Sequence, residues 1–417
     1  MEQESTMDPL VKSHDLDTAV SDIIERCGEN IILATALGLG KPNRLLNRLY
    51  QKVKSQPDKC KLTIYTALSL QVPQAKSDVE QRFLGPFAAR HFGEDYLGLD
   101  YLDDANQNTL PDNISLHEFY FSSGSQLHHA SAQQNYISQN YTHVARDLVA
   151  AGVNLVVQQV AKRGDRLSLS CNPDVMLDLI EQMQAANKPL MVVGVVNAAL
   201  PFLGGDADVS ESIFDLLVDD AIPQTLFGIP RESVSLVDHA IGLHASRLVK
   251  DGGTLQIGIG ALSDAIVNAL ILRHQNNADY HQALTAIDSV LDSTLVKDIG
   301  GISPFKQGLY GATEMVMDGF MHLRNAGILR RLVFDDLALQ TLLDQHMICN
   351  PLAKSDLQVL IEQGLIAPVI TDKDVAWMKK FGLVDINAKI IGANLALAPD
   401  SMLTVPATFM EDYWLLC

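Results

Sequence analysis

The stretch GGTLQIGIGALSDAIVNAL, residues 252–270, decides the fold that this sequence predicts. Residues 254–257, TLQI, predict a short strand, and Gly258 and Gly260 then permit a tight bend. Apolar residues recur at helical spacing after the bend. A strand, a glycine bend and a helix in succession make one βα unit, so the sequence predicts an α/β fold.

The bend itself has two interpretations. Gly258, Ile259 and Gly260 precede a helix that Ser263 or Asp264 would cap, and such a site offers unpaired N–H groups to an anion or oxyanion. A tight βα turn without a ligand explains the same residues. A dinucleotide fingerprint would need a third glycine where Ser263 stands, which disfavours an NAD-dependent oxidoreductase.

Further strands and helices alternate along the chain on both sides of this unit. Runs rich in Val, Ile and Leu, with little polar alternation, predict strands buried on both faces of a mainly parallel sheet. These runs are 30–34, 62–67, 155–159 and 190–196. Helical patterns cover 44–53, 175–186, 236–249 and 263–274. The polar stretch 96–113 predicts a loop.

The length of 417 residues suits two domains. The segment GIPRE at 228–232 breaks the pattern before a new helix, so we predict domains at 1–228 and 229–417. The final run YWLLC, 413–417, lacks a capping residue after it. A natural terminus and an interrupted second domain would both look like this.

Charge and composition restrict the class of partner. The formal net charge is −19, and no basic cluster exceeds Arg330-Arg331, so a nucleic-acid partner is not expected. Without an apolar run of about 18 residues, a membrane span is not expected either. Five scattered cysteines and a polar start predict a cytoplasmic protein. An anionic ligand would have to be held by local amides and a few cations.

The stretch GLYGATEMVMDGF, residues 308–320, places Glu314 near the start of a predicted helix. The positive end of a helix favours an ionised carboxylate. In a setting of small and apolar residues that carboxylate would be poorly hydrated and a better nucleophile. A helix-stabilising acid without chemistry is the alternative interpretation.

Two further groups of polar residues are candidates for ligand or metal binding. Asn197 follows a buried strand, at the edge where open α/β sheets bind ligands, although a turn residue bonded to its own backbone would look the same. His128, His129 and His143 match no metal-site spacing, so no metal is expected.

Four segments resemble the acetyl-CoA hydrolase/transferase family. The run 252–270 is similar to its dGxTLQxGIGxxPdAv segment, with Ser263 at the family's proline, and 308–320 is similar to the segment with its catalytic glutamate. The runs VVNAALPFL, 195–203, and LSLSCNPD, 167–174, resemble stretches of its first domain. The family's late GxGGxxDF segment has no counterpart here, which favours a second domain cut short.

The resemblance implies two similar α/β domains with mixed or mainly parallel sheets and an active site between them. It implies an acyl-CoA:carboxylate CoA-transferase that acts on short-chain acyl-CoA through a covalent glutamyl-CoA thioester. Coenzyme A is then a substrate, a small carboxylate is the acceptor, no cofactor or metal is needed, and a homo-oligomer is expected. An acyl-CoA hydrolase and a truncated, non-catalytic CoA-binding paralogue are the alternatives.

The resemblance also implies roles for particular residues. Glu314 matches the nucleophile, and the bend residues match the segment beside the thioester. Two more residues match positions that would orient the substrate. The oxyanion and CoA-binding residues are Gly258, Ile259 and Gly260, and the positioning residues are Asn197 and Thr313.

Overall fold

A computed structural model describes residues 10–121, 123–287, 293–313, 316–349, 354–391, 394–396 and 404–406. Glu314 and the terminal run 413–417 lie outside the described residues. The strands of the N-terminal unit are β1 Val11–Ser13, β2 Asn30–Thr35, β3 Lys61–Thr66, β4 Ile114–Glu118, β5 Leu155–Arg163, β6 Arg166–Ser168, β7 Met191–Val196, β8 Asp208–Val209 and β9 Leu216–Val218. Its helices are α1 Leu16–Cys27, α2 Asn43–Lys54, α3 Asp78–Phe92, α4 Asp100–Asn106, α5 Ala130–Asn135, α6 Val144–Ala151 and α7 Met176–Ala185.

The C-terminal unit follows the same alternation at first and then becomes helical. Its helices are α8 Leu236–Ser246, α9 Ala261–Gln275, α10 Asn277–Ile287, α11 Thr294–Ile299, α12 Asp318–Asn325, α13 Leu337–Asp344, α14 Lys354–Glu362 and α15 Asp372–Lys380. Its strands are β10 Thr254–Gln256, β11 Tyr310–Ala312, β12 Lys389–Ile391, β13 Asn394–Ala396 and β14 Thr404–Pro406.

The N-terminal unit is built on a parallel sheet with strand order β1-β9-β7-β5-β2-β3-β4. The chain moves outward in one direction through β2, β3 and β4, then returns to the other side of β2 and moves outward through β5, β7 and β9. This reversal between β2 and β5 is the point at which doubly wound sheets bind ligands. The predicted α/β fold with a mainly parallel sheet is confirmed.

Side chains on the two faces of this sheet enter two different cores. On β5, Leu155 and Val157 pack with helices α1 and α2, whereas Val156 and Val160 pack with α6 and α7. Strands covered on both faces need apolar residues at successive positions, which explains the runs of Val, Ile and Leu in the sequence.

The region predicted as a loop at 96–113 contains the short helix α4, so that prediction is wrong. Tyr101 and Leu102 of this helix are both buried. The surrounding acidic and amide residues lie on its outer side or beyond its ends and concealed the short apolar face.

The C-terminal unit has a small parallel pair, β10 and β11, with Gln256 opposite Ala312. Helix α9 packs against α8 and α12 beside this pair. Helices α13, α14 and α15 bury a separate apolar cluster between residues 339 and 388. Within the described residues, the second parallel sheet is therefore much smaller than the first.

Hydrogen bonds of Asp251 and Arg273 connect the turn that precedes β10 to the segment that precedes β11. The Asp251 carboxylate accepts hydrogen bonds from the N–H groups of Lys306 at 2.8 Å and Gly308 at 2.9 Å. Partial burial acts to raise the pKa of Asp251, but these backbone bonds bring it below its ordinary value. The buried Arg273 guanidinium donates to the carbonyl oxygens of Val249 at 2.6 Å and Ser303 at 2.8 Å.

Residues 219–235 connect β9 to α8 without a helix or strand. The boundary predicted at residue 228 falls inside this connection, and the boundary itself stays a prediction. Gly228 N–H donates to the His91 carbonyl at 2.6 Å, and His91 Nδ1 lies 3.1 Å from the Gly228 carbonyl. The connection is thereby fixed to the end of α3.

We predict that Asp251→Asn lowers the free energy of unfolding by about 1–2 kcal/mol at pH 7, because hydrogen bonds to a charged acceptor are replaced by bonds to a neutral one. The folded-state pKa of Asp251 is depressed, so its contribution is present above the unfolded pKa of about 3.9 and is lost as the pH falls below that value. Urea unfolding at pH 7 and pH 3 measures both effects. Asp298→Asn, at an exposed position, is the matched control; an equal loss in both variants would contradict the anchoring role.

Candidate active site

The two predicted motifs follow neighbouring parallel strands. Residues 257–260 leave the carboxyl end of β10, and Thr313 leaves the carboxyl end of β11. Neighbouring strands lie about 4.8 Å apart, so the glycine bend and the segment that contains Glu314 start side by side. The position of Glu314 itself is outside the described residues.

The glycine bend forms the start of α9. Helix α9 begins at Ala261 with Gly260 as its N-cap, and Gly260 has a φ of 136°, a conformation that side-chain-bearing residues rarely adopt. The expectation that Ser263 or Asp264 caps the helix is wrong, because both lie inside its first turn. No side chain caps the helix at Gly260. The first-turn N–H groups are therefore available to an acceptor.

A cleft of about 270 Å³ lies at this helix start. Ile259 and Gly260 line it, as do Val316 and Met317 beyond the Glu314 position and Leu39 of the N-terminal unit. The cleft is therefore formed by both units and by both predicted motifs. A Cβ atom at Gly258 or at Gly260 would meet no atom within 4 Å, so the bend borders open space.

The charges around the cleft are mainly negative. Asp264, Glu232 and Asp318 line it together with one cation, Arg231. Arg231 donates to Asp318 at 2.5 Å, and this bond lowers the pKa of the Asp318 carboxyl. The pair joins the connecting segment to the first turn of α12. Because the remaining charge is acidic, the cleft suits a neutral ligand portion better than phosphate groups.

The segment beyond Glu314 also contacts the N-terminal unit. Val316 N–H donates to the Cys171 carbonyl at 3.3 Å. Cys171 belongs to the run 167–174, one of the four family-like segments, and its neighbour Ser170 has a φ of 63°. The structure thus brings three of those segments, 167–174, 252–270 and 308–320, to one place.

Asn197 lies at the carboxyl end of β7, as predicted, but within the interior of the N-terminal unit. Its Nδ2 donates to Gln159 Oε1 at 2.7 Å and to the Gln224 carbonyl at 2.9 Å, and its Oδ1 accepts from Ala199 N–H at 3.0 Å. These contacts support the turn interpretation. Neither Asn197 nor Thr313 is among the residues that line the cleft, and their positioning roles stay predictions.

Sequence analysis missed several residues near this edge of the sheet. Residues 38–42, GLGKP, follow β2 at the point where the strand order reverses. A Cβ atom at Gly40 would lie 2.5 Å from Gln158 Nε2 and 2.8 Å from the Asn172 carbonyl, so only glycine fits. A glycine pair directly after a buried strand was the signal that could have identified this loop.

The described residues also bear on metal sites and membrane spans. Within those ranges, no three His, Cys, Asp or Glu side chains gather as metal ligands would. None of the helices in the described part of the chain combines the length and apolar character needed to cross a membrane. The metal-free prediction stays a prediction.

Comparison with known proteins finds relatives for part of the chain. No protein-family model matches it. The 4-hydroxybutyrate coenzyme A transferase of Clostridium kluyveri is 32% identical over 108 residues, which are 26% of this chain and 24% of that protein. The succinyl-CoA:cyclohexane-1-carboxylate CoA transferase of Geobacter metallireducens is 30% identical over 119 residues, 28% of this chain and 26% of that protein.

A third relative, the succinyl-CoA:acetate/propanoyl-CoA:succinate CoA transferase of Fasciola hepatica, is 40% identical over 86 residues, 20% of this chain and 17% of its own length. Among solved structures, RipA from Yersinia pestis aligns with a TM-score of 0.48 and 17% identity, over 76% of this chain and 59% of RipA. The matches to the curated relatives span about a quarter of their lengths or less. Over the matched segments, the chain is similar to these CoA transferases.

Proposed function

We propose that the chain transfers coenzyme A between a short-chain acyl-CoA and a small carboxylate, with Glu314 as the nucleophile. The observation that carries the proposal is the pairing of β10 with β11, which starts the glycine bend and the Glu314 segment at one edge of one cleft. The names of the sequence relatives support the reaction class.

The proposed reaction divides one acyl exchange into steps that pass through two covalent intermediates. The Glu314 carboxylate attacks the thioester carbonyl, and the C–S bond breaks. The products are a mixed acyl–glutamyl anhydride and CoA thiolate. The thiolate then attacks the glutamyl carbonyl, which releases the first carboxylate and forms a glutamyl-CoA thioester. An incoming carboxylate repeats these two steps in reverse and departs as the new acyl-CoA.

Negative charge develops on a carbonyl oxygen at each attack. Backbone N–H groups at Gly258, Ile259 and Gly260, together with the uncapped first turn of α9, are the donors that we assign to this oxygen. Fixed donors stabilise the charge without reorganising at the moment of attack. The acidic residues Asp264 and Glu232 at the border, which form no ion pair with any described residue, support a role of the cleft in binding the thioester end of the substrate, with the CoA phosphates outside it.

Hydrolysis differs from transfer only in the species that attacks the intermediate. Water in place of a carboxylate would release free thiol and regenerate Glu314. The degree to which the cleft excludes water therefore separates the two activities. A chain that binds CoA without reacting would form no adduct.

We expect Glu314→Ala to abolish both CoA transfer and the covalent adduct. After incubation with acetyl-CoA and reduction with borohydride, intact-protein and peptide mass spectrometry should locate a reduced glutamate at position 314 in the unmodified sequence. Glu314→Asp should also fail, because the attacking oxygen is displaced by about 1 Å.

The matched control is Glu25→Ala, an exposed glutamate on α1, which should retain the adduct and the rate. Acetyl-CoA with succinate as acceptor distinguishes the activities: succinyl-CoA without free thiol supports transfer, and free thiol without succinyl-CoA means hydrolysis. An adduct at another residue, or none, would overturn the assignment of Glu314.

We further predict that alanine has different effects at the two glycines of the bend. Gly260→Ala should lower the free energy of unfolding by about 1–3 kcal/mol, because a φ of 136° is strained for alanine although space is available. Gly258→Ala also meets open space and lacks such a φ, so its cost should be below about 0.5 kcal/mol. Urea unfolding of both variants measures the difference, and equal costs would contradict the described conformation.

A further inference from the structure

A second cavity, of about 340 Å³, lies at the carboxyl ends of β3 and β4. It shares no lining residue with the cleft at α9. Its wall combines apolar side chains with a few polar ones. The lining residues include Ser69, Leu102, Glu118, Tyr120 and Phe121.

Glu118 contributes a carboxylate to this cavity that is only partly used. Its side chain is 2% exposed. Oε1 accepts from the Ser69 hydroxyl at 2.6 Å and from Ser69 N–H at 3.3 Å. Oε2 accepts no hydrogen bond from any residue that the structure describes. Because Glu118 lines the cavity, this oxygen is available to a ligand that supplies a hydrogen-bond donor.

The neighbouring hydrogen-bond donors that the structure describes already have acceptors. The Ser69 hydroxyl lies 3.4 Å from Lys41 Nζ and 3.0 Å from the Tyr101 hydroxyl, and its own hydrogen is directed to Glu118. The Ser69 hydroxyl therefore has no second hydrogen to donate to Glu118 Oε2. On the cavity border, Asn106 Nδ2 donates to Gln71 Oε1 at 3.0 Å.

The buried ammonium of Lys41 determines the charge that the cavity tolerates. Lys41 is 2% exposed and donates to the Ala67 carbonyl at 3.0 Å. Burial lowers the pKa of Lys41 to about 8 and raises the pKa of Glu118, while the two opposite charges partly offset this in both groups. Since Lys41 already balances Glu118, a cationic ligand would add an unbalanced charge to a poorly hydrated site.

The backbone of the cavity wall is unusual at Leu68, which also lines the cavity and has a φ of 51°. A non-glycine residue in this region is strained, and such residues concentrate at functional sites. The left-handed turn directly precedes Ser69, the partner of Glu118.

We propose that this cavity binds a small neutral molecule with a hydroxyl group and a compact apolar body. The hydroxyl donates to Glu118 Oε2. The apolar body packs against Leu102, Tyr120 and Phe121. The inference is independent of the CoA-transfer proposal, because it concerns a different cavity and is tested by binding rather than by turnover.

The test compares three probes of one size, cyclopentanol, cyclopentylammonium and cyclopentanecarboxylate, by saturation-transfer NMR with the full chain. Cyclopentanol should bind with the highest affinity. Glu118→Gln should weaken its binding about tenfold, because the acceptor loses its charge. Glu94→Gln, an exposed site on the same unit, is the matched control and should leave binding unchanged.

A second variant keeps the test valid if Glu118→Gln does not fold. Ser125 is exposed and lines the cavity, so Ser125→Trp should block the cavity without disturbing the core. Retained cyclopentanol binding in Ser125→Trp would overturn the location. Stronger binding of the ammonium or the carboxylate, or no cyclopentanol binding to the unmodified chain, would overturn the ligand class.

Discussion

The parallel pairing of β10 with β11 is the constraint on which the candidate active site depends. Each strand has only three residues, so the pair cannot set its own register through a long ladder of hydrogen bonds. Asp251 and Arg273 supply the missing constraint by holding residues 303–308 against the turn that enters β10. A carboxylate and a guanidinium outside the cleft thus set the relative positions of the two segments proposed to react.

Much of the fold was predictable because burial on both sheet faces leaves a plain pattern. Strand β7 lacks polar side chains and β5 begins with three apolar residues, and glycine at 258 and 260 correctly indicated a bend before a helix. The start of α9 was misplaced because Gly260, through its backbone conformation, took the role expected of Ser263 or Asp264. Helix α4 was missed because two buried residues are too few to produce a detectable period.

Side-chain partnerships were harder to foresee than elements. Lys41 and Glu118 are distant in sequence, and both bond to Ser69, which follows a third strand. Arg231 of the connecting segment pairs with Asp318 of the C-terminal unit. Charged residues in isolation look like ordinary solvated groups, so only the folded arrangement distinguishes a buried network from a surface. The resemblance to a family indicated the candidate active-site segments but not these supporting contacts.

The attachment of residues 219–235 has a consequence for recombination between homologous genes. The sequence break at 228 looks like a natural junction, yet Gly228 is bonded to His91 of the first unit and Arg231 to Asp318 of the second. A crossover at that junction would join a linker from one parent to a docking surface from the other. Hybrid proteins would preserve both attachments only if His91, the whole linker and Asp318 were inherited together.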